Sequence, residues 1–69
     1  MSTRYKHIDV SEDGSIADIV NADRVITVEL TRSNRVRIEE ACEGYFNIEV
    51  SKEDAIATFK EFIHFIENT

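Results

Sequence analysis

Apolar and polar residues alternate one for one through the middle of this chain. Ile26, Val28 and Leu30 are interleaved with Thr27, Glu29 and Thr31; Val36 and Ile38 with Arg35, Arg37 and Glu39; Phe46, Ile48 and Val50 with Tyr45, Asn47 and Glu49. A period of two sends successive side chains to opposite faces, so each segment reads as an antiparallel strand with one dry and one wet face. Two weaker segments come first, giving strands at about 5–10, 16–20, 25–31, 35–40 and 45–50. The breaks between them carry turn chemistry. Asp13-Gly14 marks a tight turn, Asn21-Ala22-Asp23 an Asx-type turn, and Arg32-Ser33-Asn34 a three-residue hairpin loop in which Asn34 tolerates positive φ.

The period then changes to that of a helix, over about 52–67. Ser51-Lys52-Glu53-Asp54 has the form of a capping box, with acids in the first turn where the helix dipole favours them. At about 100° per residue, Ala55, Ile56, Phe59, Phe62, Ile63 and Ile66 share an arc about 120° wide. The expectation is that this arc lies across the dry face of the sheet. Phe65 falls outside it and His64 points away. The fold class is α+β: an antiparallel β-meander of four to five strands with one C-terminal helix packed on one face, in a single domain spanning residues 1–69.

Keeping apolar residues together fixes the register, with Leu30 facing Val36, Val28 facing Ile38 and Val36 facing Val50. Glu29 then falls opposite Arg37, Thr31 opposite Arg35, and Glu49 comes close to Arg37. This decides how the arginines Arg24, Arg32, Arg35 and Arg37 are read. As a free stripe they would suit a phosphate backbone; interleaved with Glu29, Glu39 and Glu49 they form a cross-strand ladder that cancels its own charge. The ladder is the favoured reading.

Charge points the same way. The chain has 14 acids against 8 bases, a net charge of −6. Direct nucleic-acid binding needs a basic surface that releases counterions, and an anionic membrane would repel this one. The surface that suits it is a basic one on another protein. The N-terminal MSTRYKHIDV lacks the apolar core of a signal peptide, no apolar run approaches the length of a membrane span, and Cys42 is the only cysteine. A cytoplasmic location is expected. A domain this small, without a disulfide, gains from company, so a homo-oligomer is expected, with Phe62 and Phe65 as self-association residues.

Catalytic or metal chemistry finds little footing. The run Asp9 to Ile16 imitates the first half of a calcium loop, but Val20 stands where the twelfth-position glutamate belongs, and a hairpin turn explains the residues. His7, His64 and Cys42 share no ligand spacing, and Glu39, Glu40 and Glu43 should blunt a thiolate at Cys42. No catalytic set assembles; the chain is read as a non-enzyme with no cofactor and no metal.

From Asn21-Ala22-Asp23-Arg24-Val25-Ile26 through the hairpin to Tyr45–Ile63, the chain resembles small flagellar FlbD-type proteins: an Asn-containing turn before an apolar strand, a hairpin, and a strand running into a helix. That resemblance covers about two-thirds of the chain and implies the order of elements. The stretch Asn34-Arg35-Val36-Arg37-Ile38 is also similar to a strand of carbon storage regulator proteins, which bind RNA. Where those carry a basic residue entering the helix, this chain has Glu49, Glu53 and Asp54.

The function that follows is that of a small acidic protein-interaction module, a regulator or inhibitor of a partner protein. Its contact residues are Glu39, Glu40, Glu43 and Glu49, with Tyr45 as an aromatic contact. One form is a phage-type inhibitor whose carboxylates imitate nucleic-acid phosphates. The alternative is a small-ligand or nucleotide binder with its pocket at a homo-oligomer interface.

Overall fold

A computed structural model describes residues 3–4 and 7–69, with side chains from residue 7 onward. Six strands, β1 (Thr3–Arg4), β2 (Asp9–Val10), β3 (Ile16–Asn21), β4 (Arg24–Leu30), β5 (Arg35–Glu40) and β6 (Asn47–Ser51), precede one helix, α1 (Lys52–Glu67). They form a single antiparallel sheet in chain order, every strand beside its sequence neighbour. The α+β meander is the arrangement that the alternation dictates.

The register follows the apolar pairs. Val28 faces Ile38, Leu30 faces Val36, Val36 faces Val50 and Ile38 faces Ile48, which leaves Glu29 opposite Arg37 and Arg37 opposite Glu49 on the other face. A slip of one residue would turn every one of these apolar side chains to the wet face, so keeping them together on one face pins this pairing.

Each turn shows why its residues are there. At the β4–β5 hairpin the Asn34 amide donates to the Thr31 carbonyl (3.0 Å) and the Thr31 amide to the Arg35 carbonyl (2.8 Å), with Asn34 at φ 62°. That is a three-residue loop closed by a left-handed residue, a conformation Asn tolerates better than most. The β3–β4 turn has Asn21 paired with Arg24, so Ala22 and Asp23 alone reverse the chain, with Ala22 at φ 56°. Before β3, Gly14 (φ 75°) donates its amide to Ser11, whose own amide donates to Ile16.

Two expected boundaries move. The segment read as one strand over 5–10 contributes only Asp9–Val10, and β1 pairs back onto it with Thr3 opposite Val10. The chain therefore reverses between Arg4 and Asp9. Tyr5 lies outside the described residues. The strand read as 45–50 begins at Asn47, because Tyr45 and Phe46 complete the loop that follows the positive-φ Gly44 (φ 74°).

The helix has the expected limits and cap: Ser51 Oγ accepts the Asp54 amide at 3.1 Å. Its relation to the sheet is narrower than the apolar arc implies. Ser51 is both the last residue of β6 and the N-cap, with extended backbone, so no connecting residue separates strand from helix. The helix meets β5 and β6 at its first turn, where Ala55 is 3% exposed, and Val36 beneath is 8% exposed. These are the only two buried apolar residues among those described. Along the arc the exposure is already 39% at Phe59 and reaches 69% at Ile66. Beyond Ala55, the sheet of the same chain leaves the apolar arc open.

Candidate functional site

Two surfaces compete for the role of functional site: the acidic residues singled out by charge, and the apolar residues the fold leaves open.

The acidic set is spread along the β5–β6 ribbon and its connecting loop, and its members are held by the chain's own groups. Glu40 ends β5 and turns its carboxylate into the following loop, where Oε1 accepts the amides of Glu43 (2.9 Å) and Gly44 (3.1 Å) and Oε2 that of Cys42 (2.9 Å). The Glu43 amide is the largest influence holding Glu40 below its ordinary carboxylate range, with the Cys42 and Gly44 amides and the Arg24 charge outweighing lost hydration together with it. Glu40 is thus the frame of the loop. Glu43 pairs with Arg24 at 2.6 Å, and Glu49 with Arg35 at 3.1 Å. Glu39 receives the Asn47 side-chain amide at 3.5 Å and lies 4.0 Å from Arg37 Nε. Arg37 in turn is ion-paired with Glu29 across the hairpin.

The ladder expected on the wet face is therefore present, with one difference. Glu49 lies opposite Arg37 by register, yet its carboxylate reaches diagonally to Arg35, which also donates to the Glu49 carbonyl at 3.3 Å. Arg37 is already occupied by Glu29, and long side chains bridge diagonal neighbours readily. Free guanidinium groups, which a phosphate grip needs, are correspondingly scarce.

Tyr45 stands apart, 88% exposed at the tip of the 41–46 loop. The same loop is tied to β4 by the Ala41 amide on the Val25 carbonyl (2.8 Å) and by the exposed Cys42, whose thiol donates to the Asp23 carbonyl at 2.6 Å. Asp13 is equally engaged in its own turn, accepting from the Ser11 hydroxyl (2.7 Å), the Ser15 hydroxyl (2.7 Å) and the Ser15 amide (3.0 Å). Those bonds, the Ser11 hydroxyl first, lower its pKa from 3.8 to about 2. The turn that imitates a calcium loop is a hydrogen-bonded Asx turn.

The apolar residues behave differently. Thirteen large apolar side chains among the described residues are exposed against the two that are buried. On the helix they include Ile56, Phe62, Ile63, Phe65 and Ile66; on the dry face of the sheet, Ile19, Ile26, Leu30 and Ile48. Phe62 and Phe65, singled out from sequence, are both well exposed. The sheet members escaped notice, because alternation alone implied that the helix covers them. The missing signal was the direct passage from Val50 through Ser51 to Lys52, with neither Gly nor Pro between strand and cap.

The depressions on the helix surface are lined by α1 and the residues just after it, one by Thr58, Glu61, Phe62 and Phe65, another by residues from Lys60 to Thr69. They are furrows between neighbouring side chains of one helix rather than clefts between elements. No helix among the described residues is long and apolar enough to cross a membrane. No protein-family model, curated protein or solved structure matches the chain.

Proposed function

We propose that this protein is a non-catalytic interaction module, a small regulator or inhibitor that acts by docking an apolar surface against another polypeptide. The observation that carries this reading is the imbalance of burial: two apolar side chains covered, thirteen large ones open, among the described residues. Soluble monomers scatter single apolar residues over their surface, whereas contiguous apolar faces mark sites of association. Aromatic residues such as Phe62 and Phe65 are enriched at the centres of such contacts.

The acids take the second role. Glu39, Glu43 and Glu49 are matched by Arg37, Arg24 and Arg35, and Glu40 by loop amides. They suit a polar rim that sets orientation and keeps wrong partners away, with Tyr45 as an aromatic contact at its edge. A partner with a basic surface would meet the rim, which the apolar contact leaves in solvent.

A photo-crosslinking residue placed at Phe65 in the native cell tests the reading. The expected result is a discrete polypeptide adduct, absent when the same residue replaces Glu12. No adduct from either Phe62 or Phe65 would overturn the docking function.

A further inference from the structure

Resting on that reading and sharpening it, we infer that the polypeptide docked on this surface is a second copy of the same chain, with each copy's helix α1 lying on the dry face of the other's sheet.

Three observations converge. First, the helix and the dry face match in length and in apolar character, yet within one chain the helix is covered only at its first turn, around Ala55. A 16-residue helix is about 24 Å long, and the seven-residue β4 about 23 Å. The helix carries the apolar arc Ile56, Phe59, Ile63 and Ile66; the sheet carries Ile19, Ile26, Leu30 and Ile48, all open. The strand passes into the helix at Ser51 with no connecting residue, and beyond Ala55 the arc stays open. A second copy supplies the missing helix, and a two-fold axis makes the exchange reciprocal, so both open faces close at once.

Second, the area is right. The chain exposes 5737 Å², where a compact monomer of 7.9 kDa exposes about 4,400 Å². Its radius of gyration is 12.6 Å, against about 11 Å for a compact chain of 69 residues. The surplus of about 1,300 Å² per copy, doubled, falls within the roughly 2,000–5,000 Å² that obligate homodimers bury.

Third, the charges do not oppose it. Each copy carries a net −6, but the ladder of Glu29, Arg37, Glu49 and Arg35 lies on the opposite, wet face. Contact through the dry faces keeps those groups in solvent.

Sedimentation equilibrium of the full chain, with isotope-filtered NOEs on a half-labelled sample, tests this. The expected mass is twice 7.9 kDa at micromolar concentration, with intermolecular NOEs from Ile63 and Ile66 to Ile19 and Ile26. The double variant Ile63→Glu/Ile66→Glu should shift the dimer toward monomer by at least a hundredfold in dissociation constant. A wild-type chain that stays monomeric into the millimolar range overturns the inference, as does a dimer whose intermolecular NOEs join helix to helix only. A monomer that still crosslinks through Phe65 to a different protein overturns self-exchange while leaving the docking function intact; loss of both results removes the two together.

Discussion

Truncating Val36 to Ala, beside the same change at Ile66, measures which apolar side chains the single chain covers. Val36 is 8% exposed, flanked in register by Leu30 and Val50, with the first turn of α1 over its strand. Removing two carbons costs about 1.6 kcal/mol in transfer free energy at about 0.8 kcal/mol each, and incomplete collapse of the cavity raises this to about 2–3 kcal/mol. A chain of 69 residues has roughly 3–10 kcal/mol in all, so this is a large share. Ile66 is 69% exposed, and within one chain its truncation costs about 0.5 kcal/mol or less. Urea unfolding followed by helical circular dichroism, over a hundredfold range of chain concentration, reads both. At the dilute end Val36→Ala lowers the midpoint strongly and Ile66→Ala barely; at the concentrated end, where the partner's sheet covers the helix, Ile66→Ala becomes costly. Equal, concentration-independent losses for the two variants would refute the view that the chain leaves its own helix uncovered.

Four further outcomes follow from the same geometry. Ala22→Gly relieves a left-handed alanine, which costs about 1–2 kcal/mol, against the greater freedom of glycine in the unfolded chain; a net gain of about 0.5–1 kcal/mol should raise the melting temperature by several degrees. Ser51→Ala removes the side-chain acceptor of the Asp54 amide and should cost about 1 kcal/mol in chemical unfolding. Arg37→Met breaks the half-exposed cross-strand pair with Glu29, and should cost about 0.2–1 kcal/mol at low salt and less in molar salt. The depressed pKa of Asp13 gives stability that is present above the unfolded value of 3.8 and lost as pH falls toward about 2; Asp13→Asn should flatten that acid limb, read by thermal melts across the interval.

The acidic residues illustrate how charge composition alone does not tell which acids already have partners within the chain. A net charge of −6 makes the glutamates conspicuous, yet Glu40 is spent on three loop amides and Glu43 and Glu49 on arginines. Exposed pairs of this kind contribute little to stability individually, about 0–1 kcal/mol. Their effect is to pair much of the wet-face charge within the chain, which is why the docking role proposed above is assigned to the open apolar residues.

By itself, the order of residues determined whatever depends on neighbours. Alternation set the strands of the central sheet; matching of apolar pairs set Val28 on Ile38 and Leu30 on Val36; Asn34 set the hairpin loop, and Ser51 with Asp54 the start of the helix. Each of these follows from chemistry within a few residues, or from one face having to be apolar. Only the tertiary structure decided where the helix goes, that β1 folds back on β2, that Glu49 reaches Arg35, and that Glu40 frames a loop. Those outcomes depend on direction in space. An apolar arc records that a helix needs cover, but only its placement in space decides that its own sheet supplies that cover at Ala55 and leaves Ile56 to Ile66 open.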